Sequence, residues 1–164
     1  MNSSDADDLI YRPGVGMMVV NDDGHIFVAD RSDMSGSAWQ MPQGGIDEGE
    51  TPVAAALREL AEEVGTNRFE LIAETYNWLT YDFPADIKKQ TWKGRYRGQR
   101  QKWFLFSFTG TDDDIDLNAH NCEFNNWKWI EPETVLELIV PFKRKLYEDV
   151  LDSFSKPLTR LLSR

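Results

Sequence analysis

Short apolar runs, each bounded by turn residues, predict the strands in the first part of the chain. Residues 15–20 form the first run, and the Asn-Asp-Asp-Gly of 21–24 predicts a hairpin turn into a strand at 25–29. Residues 11–14 before this run predict a turn, and the Ser-, Gly- and Asp-rich 32–38 predict a loop. Residues 39–45 then predict a strand end that leads into a glycine turn.

The middle and end of the chain continue this alternation. Aromatic and branched side chains at 69–83 fit one bent strand or two, which Pro84 ends. Glycines interrupt the basic residues 88–101, so this segment is predicted to be a loop. Residues 102–109 (KWFLFSFT) predict a buried strand, which an acidic turn at 110–116 and a short strand at 127–130 follow.

Helical periodicity is strongest over residues 52–64. Thr51 is suited to cap the start, Pro52 to occupy the first turn and Gly65 to end the helix. Further helices are predicted at 133–139 and 142–155. Apolar residues three and four apart predict the side of the first helix that faces the core: Leu57, Leu60, Ala61 and Val64.

An acidic set lies on the same helix. Glu59, Glu62 and Glu63 are also three and four apart, and at about 100° per residue they are expected roughly opposite the apolar stripe. A solvated helix face is one interpretation. Crowded carboxylates repel one another, however, so a cation site with hard oxygen ligands, suited to Mg²⁺ or Mn²⁺, is the other.

The spacing around these residues resembles the Nudix box of the Nudix hydrolases. Gly44, five residues, Glu50, seven residues and then Arg58-Glu59-Leu60-Ala61-Glu62-Glu63-Val64-Gly65 reproduce every charged and glycine position of that pattern. Thr66 departs from the aliphatic residue usual after the last glycine, which concerns packing more than chemistry. The resemblance implies an α/β fold, an α/β/α sandwich with a mixed sheet, and the order of predicted elements agrees with it.

The same resemblance implies a metal-assisted chemistry. Its catalytic set would be Glu59, Glu62 and Glu63 with Arg58, which would orient the glutamates, and Mg²⁺ would be the cofactor, with Mn²⁺ as the alternative. Which glutamate takes the proton from water is left open. The predicted metal ligands are the three box glutamates, the carbonyl of Gly44 and, outside the box, Glu123.

Flanking segments resemble the RNA pyrophosphohydrolases and dinucleoside polyphosphate hydrolases within this family. They include residues 11–16, 39–45, 78–81, 98–104, 123–129 and 141–144. Tyr81 and Phe142 match positions that could stack on a base, and core packing is the alternative for both. Candidate phosphate or ribose contacts, each with a solvated side chain as the alternative, are Arg12, Arg31, Gln43, Lys102 and Lys143.

The composition of the chain bears on disulfide bonds and on cellular location. The chain has 164 residues, a formal net charge of −10 and a single cysteine, Cys122, so an internal disulfide is impossible and a reducing, cytoplasmic location fits. Residues 1–10 predict a disordered, acidic lead, and 11–164 a single domain without a membrane span. Although the chain is acidic, basic residues are concentrated between positions 88 and 102: Lys88, Lys89, Lys93, Arg95, Arg97, Arg100 and Lys102.

These observations predict a hydrolase of nucleotide pyrophosphate bonds. Its substrates would be the triphosphorylated 5′ end of RNA, dinucleoside polyphosphates such as diadenosine tetraphosphate, or both. Two alternatives stay open: an ADP-ribose or nucleotide-sugar pyrophosphatase, and a non-catalytic module that binds nucleotide or RNA. The sequence names no protein activator.

Overall fold

The computed structural model describes residues 11–31, 39–88, 94–120 and 124–164. Within them, helices are α1 (Pro52–Val64), α2 (Ala85–Lys88), α3 (Thr134–Leu138) and α4 (Arg144–Leu162), with 3₁₀ turns at Asp112–Asp114 and Pro141–Lys143. Strands are β1 (Tyr11–Val20), β2 (Ile26–Arg31), β3 (Trp39–Gln40), β4 (Gln43–Gly45), β5 (Phe69–Glu74), β6 (Leu79–Asp82), β7 (Gly98–Phe108) and β8 (Phe124–Ile130).

One mixed sheet contains all of these strands. β1 and β7 are parallel neighbours at its centre, paired from Tyr11 opposite Gly98 to Val20 opposite Ser107. β5 and β6 pair with β7, while β2 pairs with β1, β3 and β8, all antiparallel. Short β4 pairs with the first half of β1, antiparallel, so residues 43–45, predicted to be a glycine turn, form a strand beside the sheet's central strand.

Helices cover both faces of this sheet, so the predicted α/β/α sandwich is confirmed. Side chains alternate along β1. Val15, Met17 and Val19 pack on α1, and this side is called the α1 side. Met18 and Val20 pack with α3 and α4 on the opposite α4 side, where Trp103, Leu105, Leu146, Tyr147, Val150 and Phe154 complete the core.

Two segments that were predicted to be irregular form the beginnings of β1 and β7. Residues 11–14 were expected to turn, and 98–101 to belong to a loop, but each segment pairs with the other in register. The pairing gives the backbone N–H and C=O groups of both segments hydrogen-bond partners that neither segment has locally. This gain outweighs the turn preference of their proline and glycine residues. Pro13 is tolerated because β1 here extends past the end of β4.

The ends of other elements also differ from expectation. α4 begins at Arg144, not at residue 142, and continues through Pro157 to Leu162 instead of ending at 155. Leu158 and Leu161 still pack on the α4-side core beyond the proline, which explains the continuation. β8 begins at Phe124 rather than 127, and residues 69–83 form two strands, one of the two forms expected.

The bounds of α1 are as predicted. Thr51 Oγ1 accepts a hydrogen bond from the Ala54 N–H (3.3 Å), and Gly65 adopts the left-handed conformation (φ 82°) while its N–H bonds to the Ala61 carbonyl (3.1 Å). A Cβ at Gly65 would also overlap the Asp116 carbonyl, so glycine is required twice over. Among the described helices, none combines the length and apolarity that crossing a bilayer requires.

Candidate active site

Strand β4 separates two polar clusters because its side-chain positions alternate. Gly44 faces the α1 side, where a Cβ would overlap the carboxylate of Glu59. Gly45 faces the α4 side, where a Cβ would lie against the guanidinium of Arg12. Glycine at both positions therefore lets a carboxylate and a cation approach the same short strand from opposite sides.

Arg58 organises the α1 side. Its Nε and Nη2 donate to the two oxygens of Glu50 (2.8 and 2.9 Å), and Nη2 also donates to the Gly45 carbonyl (3.0 Å). Its Nη1 donates to Glu59 (2.9 Å) and lies 3.5 Å from Glu62. One guanidinium thus fixes the end of β4, the loop before α1 and two box glutamates. Glu50, Arg58, Glu59, Glu62 and Glu63 are called the acid–arginine cluster.

Glu50 and Arg58 stabilise each other in their charged forms. Hydrogen bonds from Arg58 first, and from the Asp47 N–H second, lower the pKa of Glu50 from 4.5 to about 2. The Glu50 hydrogen bond in turn is the main cause that raises the pKa of Arg58. Both groups are therefore ionised throughout the neutral range, and their bidentate contact keeps a fixed geometry.

The orientation of the acidic residues differs from expectation. Glu63 is only 5% exposed, and the Glu59 side chain 14%, whereas Leu57 is 46% exposed. The buried side of α1 contains Ala55, Ala56, Leu60, Glu63 and Val64, so Glu63 lies within it instead of opposite it. Of the predicted apolar stripe, Leu60 and Val64 are buried as expected, whereas Leu57 is exposed and Ala61 is only half-buried. Burial also argues against a solvated face for Glu59 and Glu63.

The donor chemistry of this cluster fits a hard divalent cation, because carboxylate and carbonyl oxygens are the ligands that Mg²⁺ prefers. Within the four described ranges, no three His, Cys, Asp or Glu side chains are grouped as a cation site. Arg58 stands between Glu59 and Glu62 in this structure. Glu123 lies outside the described residues. The metal-ligand assignment therefore stays a prediction, and it rests on residue type, burial and proximity to Gly44.

A second cluster occupies the α4 side. Gln43 Oε1 accepts from Gln101 Nε2 (3.2 Å) and lies 3.5 Å from Lys143 Nζ. The Lys143 ammonium is also 5.3 Å from the ring centre of Tyr81, whose hydroxyl accepts from Gln99 Nε2 (2.7 Å). Phe142 packs on Tyr81 at 6.1 Å; the glutamine–lysine cluster comprises Gln43, Tyr81, Gln99, Gln101, Phe142 and Lys143.

Burial differs between the two aromatic candidates of this cluster. Tyr81 is 6% exposed and belongs to the core, while Phe142 is half-buried at the start of the turn into α4. Lys143 is 7% exposed, an unusual environment for an ammonium group, and its Nζ lies beside Gln43 of β4. Of the two rings, Phe142 is therefore the more accessible to solvent.

Three of the residues predicted to contact substrate lie outside the glutamine–lysine cluster. Arg12 lies beside the glutamine–lysine cluster, over Gly45. Lys102 projects to the α1 side, where its Nζ donates to the Tyr76 carbonyl (3.2 Å), so it does not join that cluster. Arg31 ends β2 opposite Phe124, and only its backbone is described.

The NUDIX domain family matches residues 10–150. The chain belongs to the Nudix family. It is 52% identical over 147 residues to an RNA pyrophosphohydrolase of Rickettsia rickettsii (strain Sheila Smith), covering 90% of this chain and 91% of the relative. The RNA pyrophosphohydrolase of Rickettsia bellii (strain OSU 85-389) is similar to the same degree, 52% over 146 residues, with 89% and 91% covered.

Solved structures agree on the Nudix fold. An Ap4A hydrolase of C. elegans in a binary complex superposes with a TM-score of 0.61 at 19% identity, covering 87% of this chain and 98% of that one. The dihydroneopterin triphosphate pyrophosphohydrolase of E. coli gives 0.65 at 20% identity, with 85% and 96% covered. These likenesses concern the fold.

Sequence reasoning missed the buried glutamines of this Nudix domain. Gln99 is 3% exposed and Gln101 fully buried, and Gln101 Oε1 also accepts from Trp103 Nε1 (3.0 Å). Because residues 98–101 were assigned to a loop, their alternation with Trp103 went unused. Glutamines two apart that continue the inward side of an apolar strand were the available signal.

Proposed function

We propose that this Nudix hydrolase removes pyrophosphate from the triphosphorylated 5′ end of RNA, cleaves dinucleoside polyphosphates such as diadenosine tetraphosphate asymmetrically, or does both. The observation that carries the proposal is the position of β4: one strand borders a buried carboxylate cluster on one side and a buried cation with an aromatic ring on the other. A nucleotide end needs both kinds of contact. The high identity to proteins named RNA pyrophosphohydrolase supports RNA as the substrate.

The α1 side is the proposed reaction centre. Glu59, Glu62, Glu63, Glu123 and the Gly44 carbonyl would hold Mg²⁺, or Mn²⁺ in its place. When bound, the cation neutralises phosphate charge and lowers the pKa of a coordinated water. A box carboxylate takes the proton of the attacking water as general base. Arg58 fixes the carboxylates through its contacts to Glu50, Glu59 and the Gly45 carbonyl.

The α4 side is the proposed nucleotide site. Phe142 stacks on the base, with Tyr81 behind it, and Lys143 and Gln43 face the ribose and phosphates that lead to β4. Arg12 reaches the same strand over Gly45 and adds a second cation. Arg31 and Lys102 complete the proposed substrate contacts from β2 and β7. The cytoplasm, where RNA and nucleotides are present, is the proposed location.

Replacement of the buried box carboxylate tests the mechanism. In Glu63→Gln the shape is kept and the charge removed, so turnover of triphosphorylated RNA should fall ~10²- to 10⁴-fold while the melting temperature changes little. Glu70→Gln, an exposed glutamate on β5, is the matched control and should retain full activity. Wild-type turnover in Glu63→Gln would refute the proposed reaction centre.

A substrate panel under Mg²⁺ tests specificity. We expect pyrophosphate or phosphate from triphosphorylated RNA, or asymmetric products from diadenosine tetraphosphate. If AMP and ribose phosphate from ADP-ribose were the dominant products, the ADP-ribose alternative would replace this proposal.

A further inference from the structure

A surface formed by the segment just before β6 and by β7 lies outside both clusters. It contains Tyr76, Trp78, Arg100 and Lys102, and is called the β6–β7 patch. The Arg100 guanidinium lies 4.6 Å from the ring centre of Trp78, and Lys102 Nζ donates to the Tyr76 carbonyl (3.2 Å). The Tyr76 side chain itself is 95% exposed. Lys102 therefore contacts the backbone of Tyr76, while the Tyr76 ring is exposed to solvent and has no packing role.

The register places this patch on the same side of the sheet as the acid–arginine cluster. Gly44 pairs with Val15, and Val15 with Lys102, so these three positions form one row across β4, β1 and β7. Residues directly opposite one another in a sheet face the same way, and neighbouring strands are ~4.8 Å apart. The backbone of Lys102 is therefore roughly 10 Å from the backbone of Gly44.

The chemistry of the patch fits single-stranded nucleic acid. Aromatic faces and an arginine plane stacked on tryptophan accept bases of any sequence, while ammonium and guanidinium groups meet the phosphates. The chain as a whole carries a net charge of −10, so an RNA strand is repelled elsewhere and favoured where cations are exposed. Of the acids on this side, Asp82 is paired with Arg97 (2.8 Å), and Glu74 ends β5.

We propose that the β6–β7 patch binds the nucleotides of the RNA chain that follow the 5′ end held at the reaction centre. Bases stack on Tyr76 and on the Trp78–Arg100 pair, and Lys102 meets a backbone phosphate between them. This inference rests on the proposed function with RNA as substrate.

The test compares a triphosphorylated dinucleotide with a triphosphorylated decamer that begins with the same two nucleotides, both under Mg²⁺. Wild-type protein should show a KM for the decamer roughly 5-fold or more below that for the dinucleotide, since stacking on one aromatic contributes at least that much. In Tyr76→Ala/Arg100→Gln most of the difference between the two KM values should disappear, with kcat and the dinucleotide KM unchanged. Trp78 is left intact because its ring is half-buried.

Arg160→Gln is the matched control, because it removes an exposed arginine near the far end of α4 and should keep the KM difference. Binding of the 5′-monophosphorylated decamer gives a second readout. Arg100→Gln should reduce the slope of log Kd against log salt by about 0.7, and Arg160→Gln should not.

The outcomes separate the two proposals. If wild-type protein cleaves both RNAs with the same KM, or if the double variant keeps the difference, the patch is overturned while the proposed function stands. If wild-type protein cleaves neither RNA, the RNA branch of the proposed function fails, and the patch falls with it.

Discussion

The two clusters beside β4 are assembled from very different stretches of chain. Every member of the acid–arginine cluster lies between residues 50 and 63, on one helix and the loop before it. The glutamine–lysine cluster gathers Gln43, Tyr81, Gln101 and Lys143 from β4, β6, β7 and the turn before α4. Local spacing therefore determines the first, whereas pairing of distant strands determines the second.

This difference also separates the expected roles. The acid–arginine cluster holds fixed charges whose geometry one arginine sets, which suits a reaction centre that tolerates little displacement. The glutamine–lysine cluster mixes amides, one ammonium and aromatic rings, which suits binding. Changes in the acid–arginine cluster should alter kcat, and changes in the glutamine–lysine cluster should alter KM.

The adjacent glycines of β4 give the largest expected contrast. Gly44→Ala forces a Cβ against the Glu59 carboxylate, so kcat should fall roughly 100-fold, as expected for a catalytic group displaced by about 1 Å. Gly45→Ala meets the guanidinium end of the long Arg12 side chain, so KM should rise a few-fold with kcat nearly unchanged. Steady-state kinetics on triphosphorylated RNA measures both. Equal kcat losses in the two variants would contradict the division of roles.

Lys143→Met is the next largest expected effect. The substitution removes a charge but keeps an unbranched apolar side chain, so the KM for triphosphorylated RNA should rise about 10-fold, the loss of one charge-assisted hydrogen bond. The melting temperature should be unchanged or higher, because burying an ammonium group is costly. Lys145→Met, at an exposed position of α4, is the control. A large loss of kcat would instead place Lys143 in the reaction centre.

Acid stability should show the smallest effect. The pKa of Glu50 is lowered from 4.5 to about 2, so its contribution to folding is fully present above 4.5 and is lost as pH falls toward 2. Glu50→Gln should therefore flatten the dependence of unfolding free energy on pH between about 4.5 and 2, measured by denaturant titration. An unaltered slope in this window would show that Arg58 does not hold Glu50 ionised.

Sequence reasoning worked where the deciding contacts are local. The start of α1 at Thr51, its end at Gly65 and the contact of Arg58 with its neighbours follow from positions within a few residues of one another. It failed where distant segments compensate each other. Residues 11–14 and 98–101 have turn signals, yet they satisfy each other's backbone hydrogen bonds as central strands.

By itself, the sequence determined the family, the α/β/α architecture and the helix that presents the box glutamates, because spacing along one helix fixes which side chains are neighbours. Only the tertiary structure decided which side of α1 is buried, and hence that Glu63 lies inside. It also decided that Gln99 and Gln101 join Tyr81 and Gln43. The first outcome depends on how α1 packs against the sheet, and the second on the register of β7 against β1 and β6. Such long-range contacts leave little trace in any single segment.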